Sequence, residues 1–119
     1  NDEELSELME KLKSLMTEEK VFFFFYLTLA LLANYLGISE KRCSAMFNQG
    51  MNINFNQYVN HFRIEAFKAR IKAGHNKTFT LTSLAYECGF NSKSTFNRVF
   101  KASCGMTPSE FAKMAHDTA

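Results

Sequence analysis

One ten-residue pattern occurs twice in this chain. Thr28-Leu29-x-x-Leu32-Ala33-x-x-x-Gly37 returns 52 residues later as Thr80-Leu81-x-x-Leu84-Ala85-x-x-x-Gly89. A serine follows each glycine (Ser39, Ser92), and a phenylalanine follows each serine by eight residues (Phe47, Phe100). A repeated frame of this kind limits the chain to folds with two similar local units.

The physical content of each copy is the same. The threonine hydroxyl can cap a helix N-terminus. The leucines one and four residues later face a core. Ala33 and Ala85 leave room for a second helix to cross closely. Gly37 and Gly89 supply the positive φ of a sharp turn after a helix. Ile38 and Phe90 are expected to plug the turn into the core. Ser39 and Ser92 then cap a second helix. The second copy carries one extra turn residue, Asn91. This is the residue logic of a helix-turn-helix, whose second helix is the one that enters a DNA groove.

Composition supports an all-α chain. Of 119 residues, 46% are hydrophobic, thirteen are phenylalanine and one is proline. Disorder is therefore excluded, and long alternating β-branched runs are absent. The length allows one domain or two small lobes sharing an element. The net charge of +2 hides an asymmetry. Residues 1–20 hold seven acids and three bases, whereas residues 21–119 hold five acids and eleven bases. The repeat-bearing part is thus basic, as phosphate binding needs, although a solvated surface gives the same balance.

Other classes find less support. Cys43, Cys88 and Cys104 lack metal-ligand spacing and read as free cysteines in a reducing cytoplasm, with Cys43 and Cys88 on apolar positions. His61, His75 and His116 are scattered, and no nucleophile–base or carboxylate pair stands out, so no enzyme, metal or cofactor is expected. The eighteen residues Val21 to Ile38 carry no charge, the crude length of a membrane span. Thr28, Asn34 and Gly37 interrupt that run, and its second half is the first repeat copy. No signal peptide is visible. The chain opens on Asn1 rather than methionine and is expected to be a fragment of a longer protein.

Helical spacing of Leu5, Leu8, Met9, Leu12, Leu15 and Met16 predicts an amphipathic helix over about 3–19. A connector at 20–27 leads to a helix at 28–36, a turn at Gly37 and a helix from about Glu40 to Gln49 that buries Cys43, Met46 and Phe47. A polar loop covers 50–54. A long helix over about 55–72 carries two apolar stripes: Phe55, Tyr58, Val59, Phe62, Ala66 and Ala69 on one side, and Ile64, Phe67 and Ile71 opposite. Such a helix is expected to join a first lobe (about 3–54) to a second (about 78–115). Its length of ~27 Å is comparable with the ~34 Å between successive major-groove faces. Arg63 and Arg70 share one edge of this helix; His61, Glu65, Lys68 and Lys72 share the other, as solvated surface. The second unit continues with a helix from Thr80, a turn at Gly89 and a helix over about 93–103 ended by Gly105. Thr107-Pro108-Ser109-Glu110 then opens a last helix with a capping box.

The first candidate reading helix exposes Glu40, Lys41, Arg42, Ser44, Ala45 and Asn48. The second begins at Ser92 and exposes Lys93, Ser94, Thr95, Asn97, Arg98 and Lys101. Arginine pairs bidentately with guanine and asparagine with adenine; serine, threonine and lysine more often hold phosphates. Arg98, one turn into its helix, is the strongest base-reading candidate.

Three segments together resemble the AraC/XylS family DNA-binding domain: Tyr58-Val59-Asn60-x-x-Arg63-x-x-x-Ala66; Leu84-Ala85-x-x-x-Gly89-Phe90-Asn91-Ser92-Lys93-Ser94-x-Phe96-x-Arg98-x-Phe100-Lys101; and Gly105-x-Thr107-Pro108-Ser109-Glu110-Phe111. The resemblance covers about 5–113 and is most specific in the C-terminal half. It implies a seven-helix domain with two helix-turn-helix lobes joined by a long helix. It implies sequence-specific binding of double-stranded DNA in bacterial transcription, usually as an activator, with the reading helices in adjacent major grooves. RNA polymerase is the implied partner, an upstream sensor or dimerisation domain the implied neighbour, and the cytoplasmic nucleoid the implied location. By position, the base-facing residues are Lys41, Ser44 and Ala45 in the first lobe, and Lys93, Ser94, Asn97 and Arg98 in the second.

Two departures from the family pattern stand out. Ala45 occupies a position where many members carry arginine, so the first lobe has less base-specific chemistry. Phe24-Phe25-Tyr26 replaces a connector that is usually polar and contains proline, and Ala30 and Leu31 replace residues that are often acidic. The cluster Phe22, Phe23, Phe24, Phe25, Tyr26 with Leu31 reads either as a surface for a sensory domain or a second copy, or as packing on the first helix. A helical protein-interaction module using that cluster, and a membrane-associated fragment, are the alternative functions.

Overall fold

The computed structural model describes residues 2–117. Among them lie seven α-helices and no strand: α1 (Asp2–Thr17), α2 (Leu29–Leu36), α3 (Glu40–Ala45), α4 (Phe55–Lys72), α5 (Leu81–Glu87), α6 (Lys93–Cys104) and α7 (Pro108–Asp117). Short 3-10 turns at Val21–Phe23 and His75–Lys77 join α1 to α2 and α4 to α5. The chain divides into two compact units, Asn1–Val59 and Asn60–Ala119, and the division falls within α4.

In the first unit, α1 contributes Leu12, Leu15 and Met16 to the core. Leu8 and Met9 are half-buried and Leu5 is exposed, so the apolar stripe of α1 is used mainly in its second half. Val21, Phe22 and Leu27 from the connector join Leu32, Ala33 and Leu36 of α2. Cys43, Met46 and Phe47 complete the core, with the Phe47 ring 5.1 Å from Tyr58 and 6.1 Å from Phe55.

The frame of the first repeat copy forms as its chemistry dictates. Thr28 Oγ1 accepts from the Leu31 N–H at 3.1 Å. Gly37 takes a left-handed φ of 71°. Ser39 Oγ accepts from the Arg42 N–H at 3.1 Å. Ile38 is only half-buried, less than a plug requires.

The first candidate reading helix departs from expectation after Ala45. Met46–Met51 is wound as a wider π turn, and it ends at Asn52 with φ 57°. Both the Asn52 and the Ile53 amides donate to the Phe47 carbonyl. Asparagine tolerates the left-handed conformation that ends the segment, so Asn52, not Gly50, makes the turn. The regular part of this helix is therefore six residues long.

In the second unit the apolar stripe of α4 is Ile64, Phe67 and Ile71, all buried. Ala69, placed by the sequence pattern on the other stripe, is exposed; a methyl group gives little apolar area to hold it inside. Phe67 meets Phe96 at 4.8 Å and Phe100 at 5.5 Å between ring centres. Phe90 lies 5.1 Å from Phe96, and Phe111 of α7 lies 5.7 Å from Phe100. Leu84, Ala85 and Cys88 fill the space under α5.

The second frame repeats the first. Thr80 Oγ1 accepts from Ser83 N–H at 3.1 Å. Gly89 has φ 110°. Ser92 Oγ accepts from Thr95 N–H at 3.1 Å. Gly105 stops α6 at φ 73°, donating to the Lys101 carbonyl. In the capping box of α7, Thr107 N–H donates to Glu110 Oε1 at 2.8 Å and Glu110 N–H donates to Thr107 Oγ1 at 3.1 Å.

Candidate nucleic-acid interface

α6 is amphipathic, with a buried aromatic face and an exposed polar one. Phe96 and Phe100 point into the core, and Lys93, Ser94, Asn97, Arg98 and Lys101 are exposed. Thr95 is half-buried. Ser92 is half-buried too, with its hydroxyl committed to the cap, so its part is to start the helix. A groove runs along α6, bounded by Leu81 and Thr82 of α5 and by Thr107, Pro108 and Ser109 at the start of α7. Lys93, Asn97, Arg98 and Lys101 stand on its α6 wall. A cationic wall suits an anionic ligand.

α3 offers less. Lys41 and Arg42 are exposed, and Ser44 and Ala45 are half-buried. Arg42 Nη2 is 3.5 Å from Glu4 Oε2 of α1, so part of its charge is already answered. Asn48 is exposed, but it lies in the π turn and donates through Nδ2 to Ser44 Oγ at 3.3 Å. Its expected place on a continuous α-helical face is thus corrected by the wider winding.

The aromatic lead-in also needs correction. Phe22 is in the core of the first unit, and Phe23 and Phe24 are half-buried, with Phe22 and Phe23 rings 4.4 Å apart. Only Phe25 (63% exposed) and Tyr26 (52%) face solvent; Leu31 is half-buried. The 3-10 turn folds the start of the cluster inward, so the exposed surface is two rings, not five. Tyr26 stacks on Phe24 at 5.1 Å and meets Phe25 edge-on at 5.5 Å.

Two cations that the sequence pattern leaves on a helix edge have definite partners in the second unit. The Arg63 guanidinium lies 6.0 Å from the centre of the Phe90 ring. Burial lowers its pKa to about 10. Arg70 makes a close ion pair with Glu87 at the end of α5. On the other edge, Lys68 pairs with Glu65 at 3.3 Å and lies 5.8 Å from the Phe111 ring. Spacing on α4 gave no signal for the partners of Arg63 and Arg70, because Phe90 and Glu87 come from elsewhere in the chain.

Cys43 and Cys88 are buried free thiols, as their apolar positions imply, and burial raises both pKa values, that of Cys88 to about 11. Among the described residues, no group of His, Cys, Asp or Glu could hold a metal ion, and no helix is long and apolar enough to cross a membrane.

Residues 32–114 match a family described as a helix-turn-helix domain, and this span includes both capped turns and both candidate reading helices. The chain belongs to the AraC-type helix-turn-helix family. AraC-type domains serve DNA-binding transcription regulation, and the all-α architecture fits that fold. The chain is similar to YijO, an uncharacterized HTH-type transcriptional regulator of Escherichia coli K12, with 32% identity over 107 residues. That match covers 90% of this chain but 33% of YijO, so the chain spans about a third of this relative. A Listeria innocua protein of unknown function has a similar solved structure, with TM-score 0.77 and 25% identity, covering 89% of this chain and 95% of that one. A Chromobacterium violaceum transcriptional regulator with an AraC-type DNA-binding domain shares the fold at TM-score 0.70 and 16% identity, covering 96% and 93% of the two chains.

Proposed function

We propose that this AraC-type domain binds double-stranded DNA sequence-specifically, with α3 and α6 each entering a major groove, in adjacent turns of the duplex. The observation that carries this reading is the two-sided character of α6. Its buried face fixes the helix through Phe96 and Phe100, and its exposed face offers Lys93, Asn97, Arg98 and Lys101 together. Arginine and asparagine are the side chains that pair bidentately with guanine and adenine. Lys93 and Ser94 stand beside Asn97 and Arg98 on the base-facing side by position, and Lys101 is assigned to a phosphate, which sets register without reading sequence.

The two lobes divide the work unequally. α3 ends on Ala45, which offers no base-pairing group, and shares Arg42 with Glu4, so Lys41, Arg42, Ser44 and Asn48 act more as a grip than as a reader. α6 carries the base discrimination. The target site is therefore asymmetric.

The wider biological role follows from this assignment and from the family. The domain acts in the bacterial cytoplasm, without catalysis, as the DNA-binding part of a longer regulator that engages RNA polymerase. Phe25 and Tyr26 are the surface through which it meets the sensory domain of that regulator. The greater length of YijO supports the existence of such a domain.

A mobility-shift titration with arbitrary duplex DNA at several salt concentrations tests the core of this reading. Binding is expected to weaken steeply as salt rises, because counterions released from phosphates are the driving term. Absence of binding at low salt would refute a DNA-binding role and favour a protein-interaction module built on Phe25 and Tyr26.

A further inference from the structure

The second unit holds a half-buried cation, Arg63, on α4. Arg63, Phe67 and Arg70 recur along α4 at spacings of four and three, so they share one face of the helix. Each touches a different part of the second helix-turn-helix. Arg70 pairs with Glu87, the last residue of α5. Phe67 packs on Phe96 and Phe100 in the inner face of α6. Arg63 lies against Phe90, the turn residue between the two helices. Phe90 is 2% exposed and passes that contact on to Phe96, in the first turns of α6.

Half-burying a guanidinium is unfavourable, and a methionine or leucine would fill the same space without desolvating a charge. The depressed pKa of Arg63 is the electrostatic trace of that cost. A cation over an aromatic face has a preferred placement that an aliphatic chain lacks. The contact therefore constrains where the Phe90 ring sits, and Phe90 is two residues before the Ser92 cap of α6.

We infer that Arg63 is a positioning residue for the second reading helix: through the Phe90 ring it fixes where α6 begins, and so how well Asn97 and Arg98 distinguish base pairs. This rests on the reading of α6 as the base-discriminating helix. Arg63 itself, half-buried against Phe90, is not assigned to the DNA surface.

The test uses the full chain, a duplex site selected from random DNA, and a scrambled duplex of equal length. Folded fraction is followed by helical circular dichroism and thermal melting. Arg63→Met is expected to remain folded, with its affinity for the scrambled duplex and its salt slope unchanged. Its preference for the selected site is expected to drop about tenfold, within the range that residues remote from a ligand exert on coupling. Arg63→Lys keeps the cation and is expected to recover part of that preference. Phe90→Leu removes the ring and is expected to match Arg63→Met, and the double variant to be no worse than either single one, because both remove the same contact.

Preference unchanged in folded Arg63→Met would overturn the inference. So would losses that add in the double variant, or a loss that only tracks the unfolded fraction. If Arg63→Met fails to fold, Arg63→Lys and Phe90→Leu decide the matter, and wild-type preference in both overturns it. A wild-type chain that shows no salt-dependent binding to either duplex overturns the DNA reading as a whole, a result distinct from any behaviour of the Arg63 variants.

Discussion

Glu4 Oε2 of α1 lies 3.5 Å from Arg42 Nη2 of α3. The acidic N-terminal helix thus holds a cation that the proposed DNA contact would use. Both side chains are more than half exposed, so the pair itself contributes little to stability. Its effect is competitive: a phosphate reaching Arg42 must displace a carboxylate.

Glu4→Gln is therefore expected to tighten binding to any duplex by about two- to threefold at low salt, the range of an exposed ion pair. The gain is expected to vanish by high salt, where screening removes both interactions. A filter-binding titration of both proteins across salt concentrations checks this. An unchanged affinity would show that Arg42 does not contact DNA.

The reciprocal cap of α7 yields a second prediction. Glu110 accepts from the Thr107 amide, and this backbone hydrogen bond, with that of the Thr107 hydroxyl, holds its carboxyl below the usual range. A depressed folded pKa means stability present above the unfolded value and lost as pH falls through the folded one. Thr107→Ala is expected to cost about 1 kcal/mol. Glu110→Gln, which cannot titrate, is expected to flatten the acid limb of a stability–pH curve. Urea unfolding from pH 7 down to pH 3 checks both. A Glu110→Gln curve with the same acid limb as wild type would refute the link to Glu110.

Cys88 contributes to the loss of stability at alkaline pH. Its thiol pKa is raised to about 11 by burial. The folded state then binds the proton more tightly than the unfolded state. Stability is full below the unfolded value near 9 and falls as pH rises from there to about 11. The loss is on the order of 2 kcal/mol, and Cys88→Ala is expected to remove that part of the slope. The same burial predicts that iodoacetamide labels half-buried Cys104 before Cys43 or Cys88. Early labelling of Cys88 in the folded chain would contradict this.

The aromatic cluster of the second unit is expected to dominate its stability. Phe96 is 1% exposed and contacts the rings of Phe67, Phe90 and Phe100. Phe96→Ala is expected to cost ~3–5 kcal/mol and to abolish DNA discrimination along with the order of α6. Denaturant melts followed by near-ultraviolet circular dichroism test this; a loss below about 1 kcal/mol would mean the ring is not a core residue.

What the sequence made legible is local. Thr28, Ser39, Thr80, Ser92 and Thr107 cap helices because a hydroxyl and an amide three residues away are enough to define the motif. α4 ends where the apolar pattern ends. Gly37 and Gly89 take the positive φ that their turns need. What stayed hidden depends on partners distant in the chain or on local winding with no periodic signature. The π turn after Ala45 breaks no hydropathy rule, yet it shortens the regular part of the first reading helix. Phe22 reads like Phe25 in any hydropathy window, and only the 3-10 turn separates the buried ring from the exposed one. The roles of Arg63 and Arg70 require knowing that Phe90 and Glu87 fold back onto α4. Of the candidate DNA contacts, residue type and position on a helix were visible in advance; Arg42's link to Glu4 and Asn48's place in the π turn were not.

Two helices built on one frame are proposed to read DNA unequally, with Arg98 of α6 as the main reader. The most direct measurement compares Arg98→Ala and Lys41→Ala on a selected duplex site and on sites mutated one base pair at a time. Arg98→Ala is expected to lose ~1–3 kcal/mol on the selected site and to become indifferent to the base pair it contacts. Lys41→Ala is expected to weaken all sites alike and leave the preferences intact. Equal loss of discrimination from the two substitutions would contradict the account.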